Sequence, residues 1–395
     1  MSRSSSSASA SGPPDLSVVL VHYRTPELVP PAVAAVRRDL QASQLEAEIL
    51  LVDNDSQPGD REGFEGLGVQ VLGPGTNRGF AAGVNRGFEA ASADRLVVMN
   101  PDVEVRAGCL GRLAQALDAG AAAAGPRFTW DAQDRLLLPP QEPRSRTWEL
   151  AAALARRGPG WSRWARRRWR RHARRHWSAR EPMETFALSG ALLAIRREAW
   201  DRVGTFDDGF RLYFEETDWL LRLRDAGLNA VLVPEAVARH RYNLSAAVEP
   251  RAPQWFADSA QRFRRRYYGS WFTGLLARLE TPPRRPEASP QAPLGADGNT
   301  PGDSMLPKLE LHPRARWVEV SPLAVGFPAA AEPVSPKVAD DGGGVWQLPS
   351  SVWQDLAPGN YCLRSVSEAG EELQERQFSK NSEGKAAGGS AHAAD

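Results

Sequence analysis

Three carboxylates, Glu215, Glu216 and Asp218, stand at the head of the stretch LYFEETDWLLRLRDAG (212–227). Its periodicity predicts a helix. Leu220 and Leu223 follow Glu216 by four and seven positions, which puts Glu216 in line with the apolar stripe. Acids in a first turn favour the positive end of a helix dipole. Asp218 also stands four residues before Arg222, the spacing of an exposed ion pair worth ~0.3–0.5 kcal/mol. Neither effect accounts for an acid on the buried stripe, where desolvation is costly unless a ligand or cation shares the site. A carboxylate at the rim of a cleft, with its pKa raised, is what a general base requires.

A second acid stands in VMNPDVEV (98–105). Asn100 and Asp102 are two apart, so on an extended chain their side chains share a face. An acid at the end of a buried strand has no core partner; it commonly holds a divalent cation whose other positions go to waters and phosphate oxygens. The plainer alternative is an Asp in a turn that caps a helix from 107. LLVDNDS (50–56) ends another apolar run with Asp53 and Asp55. A carboxylate there can accept hydrogen bonds from a nucleobase or ribose, or close an Asx-turn on its own backbone. In GTNRGFAAGVNRGFEAA (75–91) glycines stand at 75, 79, 83 and 87. Gly79 with Ala81 and Ala82 would let a diphosphate approach a helix N-terminus, and the same glycines would equally permit tight helix-to-sheet packing. His240, in ARHRYNLS (238–245), lies beyond a strand, a position suited to metal or phosphate contact, although a lone histidine is more often structural.

The elements that must position these groups alternate regularly. Strands are predicted at 16–22, 48–53, 69–72 and 95–100, and helices at 27–42, 80–91 and 107–118. Continuous Val/Leu runs separated by helices indicate a mostly parallel sheet covered on both faces. In such a doubly wound α/β arrangement ligands bind at the carboxyl ends of the strands. His22-Tyr23, Asp53-Asn54-Asp55 and Asn100-Pro101-Asp102 all fall there. Regularity breaks over 126–185 and resumes with a strand and helix in FALSGALLAIRREAW (186–200), a strand at 229–234 and a basic aromatic helix near 255–279.

The predicted organisation is a disordered tail (1–14), a large α/β domain (15–280), a Pro/Gly-rich linker (281–308), a small all-β module (309–379) and a second disordered tail (380–395). Net charge is only +1, yet residues 156–180 hold eleven arginines, four tryptophans and no acid. That composition suits adsorption to an anionic membrane; nucleic-acid binding is a lesser alternative, and a solvated basic insertion the plain one. Cys109 and Cys362 form no metal or redox motif, so a reduced compartment is the default. The tail MSRSSSSASASGPPD has no apolar core, and no stretch reaches the ~20 apolar residues of a membrane span. A cytoplasmic protein, peripheral at the inner face of the membrane, is the expectation.

Taken in order, VVLVHYRTPE, LLVDNDS, TNRGFAAGVNRGF, VMNPDVEV, LSGALLAIRREAWDRVGTFDDGFRLYFEETDWLLRLRDAG and VPEAVARH resemble glycosyltransferase family 2, the inverting enzymes of GT-A fold, and especially its rhamnosyltransferase-like branch. The resemblance runs from about residue 15 to 245. It implies transfer of a sugar, rhamnose in that branch, from a nucleoside-diphosphate sugar to a hydroxyl of a glycan or lipid-linked saccharide. His22, Tyr23, Asp53, Asn77, Asn85 and Asn100 would stand on the donor side, with Asp53 reaching the base and Asn77 and Asn85 ordering the donor loop. Asp102 would bind Mg2+ or Mn2+ on the diphosphate, with His240 near it, and Ser189 and Gly190 would shape the acceptor side. In the family's Glu-Asp-x-Asp pattern the second acid takes the acceptor's proton. Here the pattern reads Glu-Glu-x-Asp, which points to Glu216, with Glu215 as the neighbouring candidate and Asp218 completing the group. Alternatives outside this chemistry are a catalytically degenerate glycan-binding protein and a nucleotidyltransferase.

Overall fold

The computed structural model describes residues 12–54, 62–73, 77–241, 249, 251–280, 306–322, 326–335 and 344–380. Asp55, Gly75, most of both expected tails and most of the expected linker lie outside the described residues. By compactness the chain forms two units. The first takes in Met1–Thr129, Pro140–Trp148 and Arg175–Leu276; the second takes in Trp130–Pro139, Glu149–Arg174 and Ala277–Asp395. Most of the arginine-rich stretch, expected as an insertion in the α/β domain, therefore clusters with the C-terminal strands.

The first unit holds a nine-stranded sheet. Its strands are β1 (Leu16–His22), β2 (Ala47–Asp53), β3 (Gln70–Leu72), β4 (Arg95–Met99), β5 (Val103–Val105), β6 (Ala123–Thr129), β7 (Met183–Glu184), β8 (Leu192–Arg196) and β9 (Ala230–His240). The order is β3-β2-β1-β4-β8-β6-β9-β5, with β7 also on β9. β1, β2, β3 and β4 are mutually parallel, and β6 runs parallel to β9. β8 lies antiparallel between β4 and β6, which keeps β6 and β9 in the common direction. The mostly parallel sheet is thus interrupted by the reversed β8, and β5 and β7 also run antiparallel to β9. Strand direction leaves no trace in hydrophobic periodicity, and β6 was hidden from that reading by Gly125 and Pro126 within it.

The α-helices among the described residues are α1 (Val29–Ser43), α2 (Phe80–Ala90), α3 (Cys109–Asp118), α4 (Arg146–Ala155), α5 (Pro159–Trp177) and α6 (Arg197–Val203). They continue as α7 (Glu215–Asp225), α8 (Ala252–Tyr268), α9 (Ser270–Glu280) and α10 (Ser350–Asp355). Alternate residues of each central strand serve opposite cores. Leu16, Val18 and Leu20 pack with α1 and α3, whereas Val19 and Val21 pack with α2, α6 and α7. Both faces are covered, which is why these strands read as unbroken apolar runs. Gly83 and Gly87 of α2 lie so close to β1 that a Cβ would stand 2.7 Å from Val21 and 2.3 Å from Val19. Tight packing is the use of these two glycines. Among the described residues no helix is long and apolar enough to cross a membrane.

The second unit is built on an antiparallel sheet of order β12-β11-β14-β15, from β11 (Ala315–Ser321), β12 (Ala330–Pro333), β14 (Gly359–Ser367) and β15 (Glu372–Lys380). β10 (Lys308–Glu310) pairs separately with β13 (Val345–Gln347). The arginines of α5 that belong to this unit are not all solvated. Arg170, 3% exposed, makes a bidentate pair with Glu319 of β11, both bonds 2.7 Å, and a third 2.7 Å bond to Glu372 of β15. Arg166 meets both oxygens of Glu372, at 2.6 and 3.0 Å. Trp169 is buried against Phe327, with ring centroids 6.5 Å apart. Paired charges of this kind lose little hydration unanswered, and the fork of arginine fixes their geometry.

Candidate active site

The carboxyl ends of the parallel strands converge where the sequence placed its polar clusters. After β4 the backbone turns sharply, with Val103 N–H donating to the Asn100 carbonyl at 3.2 Å, and β5 then pairs with β9 in a register that sets Val103 opposite His240. That register brings His240 Nε2 to 3.3 Å from Asp102 Oδ1. Asp102 is not a helix cap: the first amides of α3, from Gly108 and Leu110, donate to Asp39 instead. Asp102, His240, Asn100, Tyr23 and Asn77 line one cavity of about 160 Å3, whose wall also includes Arg211, Tyr213, Glu249 and Trp255. Tyr23 donates to Glu249 at 2.7 Å. Hydrogen bonds from Arg251, then from Tyr23, hold the Glu249 carboxyl down to about 2 against the effect of its burial.

The loop before α2 is organised by Asn54, expected only as part of the polar cluster at the end of β2. Its amide donates to Asn77 Oδ1 and to the Gly79 carbonyl, both at 3.2 Å, and its oxygen accepts from Arg78 N–H at 3.2 Å. Gly79 has φ +95°, and a Cβ there would stand 2.6 Å from the Arg211 carbonyl. Glycine is required by backbone approach and by a left-handed φ; a side chain would meet Arg211, while Gly79 itself lines the first cavity. Asn54 also borders a second, polar cavity of about 380 Å3 with Asp53, Arg78, Asn85 and Arg86. Two expectations shift here. His22 is fully buried, edge-on to Phe64 at 5.1 Å, and does not line either cavity. Asn85 clamps the Phe206 backbone (2.9 and 3.0 Å) and Asp208 (2.6 Å), so its amide ties α2 to that turn and not to residues 77–79.

The acidic helix α7 begins from two consecutive aromatic residues with left-handed backbone, Tyr213 at φ 66° and Phe214 at φ 72°. Bulky side chains avoid this region, and holding one there costs about 1–3 kcal/mol. What compensates is an aromatic cluster: the Phe214 ring lies 5.2 Å from Phe263 and 5.6 Å from Phe256, with the Arg144 guanidinium 4.8 Å over it. Tyr213 thereby reaches the first cavity while Glu215 and Glu216 enter the helix directly behind it. Neither glutamate lines that cavity. Glu216 is packed on Gly190, where a Cβ would be 3.2 Å from its own, and the next carbonyl, Ala191, accepts from Asn100 N–H at 2.9 Å. Ser189 Oγ accepts from Ala191 N–H at 3.2 Å and shapes that turn.

The three acids differ in their surroundings. Asp218, expected beside the other two in chemistry, is fully buried and spent on protein partners: Arg222 at 2.9 Å, Tyr267 at 2.8 Å and Arg266 at 3.1 Å. It anchors α7 to α8. Glu215 is 4% exposed, and its Oε2 has no hydrogen-bond partner among the described residues. Burial, then the charge of Glu216, pushes the Glu215 carboxyl well above its ordinary range. Burial raises Glu216 as well, but backbone N–H donors, Arg144 and the Thr217 hydroxyl (3.3 Å) favour its ionised form. Both carboxyls are therefore raised, Glu215 the more strongly, and only Glu216 has neighbours that favour its ionised form. Because the raised Glu215 carboxyl binds its proton more tightly when folded, its contribution to stability is full below the ordinary carboxylate pKa and is lost as pH rises through the folded value. Glu215→Gln is accordingly expected to raise the melting temperature by a few degrees near neutral pH and to leave it unchanged in acid, measured by thermal unfolding at a series of pH values.

The chain as a whole has relatives. The profile described as "Glycosyl transferase family 2" matches residues 17–203, and that described as "Glycosyl transferase family group 2" matches 148–330. An N-acetylglucosaminyl-diphospho-decaprenol L-rhamnosyltransferase of Mycobacterium tuberculosis is 31% identical over 228 residues, covering 53% of this chain and 71% of that protein. The chain belongs to glycosyltransferase family 2. Two solved structures resemble this glycosyltransferase loosely. One is a mannosyltransferase of Pyrobaculum calidifontis in complex with GDP-Man and Mn2+ (15% identity, TM-score 0.40, covering 68% of this chain and 74% of that one). The other is residues 1–349 of S. aureus TarS (12% identity, TM-score 0.41, covering 64% and 72%).

For a family 2 glycosyltransferase the donor set around Asp102 is suited to a divalent cation. Among the described residues no group of three or more His, Cys, Asp or Glu could hold a metal, so protein ligation would be limited to Asp102 and His240. One carboxylate with one imidazole, the rest left to phosphate oxygens and water, is an arrangement Mg2+ and Mn2+ accept. No role was assigned from the sequence to Asn54, Arg211, Glu249 or Trp255. Asn54 alone carried a signal, its place inside LLVDNDS; the other three reach the cavity only through the fold.

Proposed function

We propose that this glycosyltransferase moves a sugar, rhamnose in the reading favoured by the named relative, from a nucleoside-diphosphate sugar to a hydroxyl of a lipid-linked saccharide, with inversion at the anomeric carbon. The observation that carries it is the shared cavity of Asp102, His240, Asn100, Tyr23 and Asn77 at the strand ends, with the Glu216 helix starting at its rim. The nucleotide would span both cavities, its base by Asp53 and its diphosphate toward Asp102. A divalent cation, when bound, would neutralise the departing diphosphate. Glu216 would accept the acceptor's proton, with Glu215, raised by burial, beside it. Asp218 and Tyr267 would hold α7 in register without touching substrate. A lipid-linked acceptor places the enzyme at a membrane surface as a peripheral protein.

The test is a thermal-shift screen of nucleotide sugars with and without Mn2+. A ligand that binds only the folded state stabilises it by about 2.7 kcal/mol at a hundred times its Kd. A deoxythymidine-diphosphate sugar is expected to raise the melting temperature, and more so with the cation. A panel in which no nucleotide sugar shifts the melt would remove the reading.

A further inference from the structure

Helix α5 uses arginine differently on its two faces. On the inner face Arg166 and Arg170 answer Glu319 and Glu372, and Ala165, Trp169 and Ala173 are buried. The outer face carries Trp161, Arg163, Trp164, Arg167 and Arg171, all exposed and spaced so that they share one side of the helix. Arg163, Arg167 and Arg171 have no carboxylate partner among the described residues, although acids of the same unit neutralise arginines only one position away. Trp161 and Trp164 remain 49% and 45% exposed and meet edge to face at 6.0 Å. Large apolar rings are thus left in water among uncompensated cations.

We infer that this outer face docks on an anionic phospholipid bilayer, the three arginines on lipid phosphates and the tryptophan pair at headgroup level. The proposal deepens, and for its purpose rests on, the reading of a lipid-linked acceptor. Since the apolar face of α5 is already buried within its own unit, the helix cannot bury that face in lipid as an adsorbing amphipathic helix does. Contact is electrostatic, with two shallow anchors. The rings turned edge to face also offer little open π-surface for stacked bases, which is what single-stranded nucleic acid requires.

Flotation of the full chain with phosphatidylcholine vesicles, with and without phosphatidylglycerol and free of any acceptor, tests it. Recovery is expected with the anionic vesicles alone and is expected to fall as added salt screens the charges. Replacing Arg163, Arg167 and Arg171 together by Gln should weaken vesicle binding about 100-fold, roughly fivefold for each. Trp161→Ala with Trp164→Ala should weaken it further. Because these side chains are exposed, the melting temperature of either variant should match the parent. Equal recovery with neutral vesicles, no recovery with anionic ones, or undiminished binding by the triple variant overturns the proposal, as does tighter binding to a single-stranded oligonucleotide than to anionic vesicles. Flotation without transfer to any polyprenyl-linked saccharide would instead overturn the acceptor reading and leave the docking face standing.

Discussion

Glu216→Gln is expected to lower the turnover number by roughly 10²–10⁴-fold, the usual contribution of a positioned general base, while the fold and donor binding persist. The side chain keeps its shape and its packing on Gly190 and loses only the ability to take a proton. The pH profile supplies a second readout. Burial raises the Glu216 carboxyl, so the parent should lose activity as pH falls through a value above the ordinary carboxylate range, and the residual activity of the variant should lack that limb. Asp102→Ala is expected to abolish transfer by another route, removing the cation-dependent part of donor binding. A transfer assay run beside a donor titration with and without Mn2+ separates the two. Substantial turnover in Glu216→Gln would pass the role to Glu215; metal-independent donor binding in both parent and variant would take Asp102 out of its own.

Arg170→Leu is expected to destabilise the second unit by about 3–5 kcal/mol, the range for breaking a buried ion pair from one side. Glu319, 1% exposed, would be left charged without its bidentate partner, with only the charge of Arg174 acting on it. Pairing the change with Glu319→Leu should recover most of the loss, because replacing both charges by apolar groups of similar volume is often neutral. Urea unfolding of the single and double variants measures both outcomes. Equal loss in the two would mean that Arg170 acts through packing alone.

Much of the first unit was legible because β1, β2 and β4 are buried on both faces and therefore written as unbroken Val/Leu/Met runs. The reversed strand β8 was not, since LLAIR has the same composition in either direction. Site residues near strand ends, such as Asp102 and Asn100, could be found from topology; His240 could be set beside Asp102 only through the family resemblance, because the two meet through a register between β5 and β9 that no local pattern records. The left-handed pair Tyr213–Phe214 ran against every residue preference, and only the surrounding rings and Arg144 make it tenable. Asp218 was legible as a partner of Arg222 and illegible as a ligand of Tyr267, 49 positions away. The inner arginines of α5 misled for the same reason: an arginine run reads as solvated until its glutamates arrive from elsewhere.

Those glutamates arrive late. On a ribosome Arg170 is made 149 residues before Glu319 and 202 before Glu372. The nascent helix must therefore wait, its cations bare, while about half the protein is still being synthesised. The C-terminal strands are thus the closing step of a structure already begun, and a chain terminated prematurely between the helix and those strands would expose a sticky, positively charged Trp169 surface to quality control.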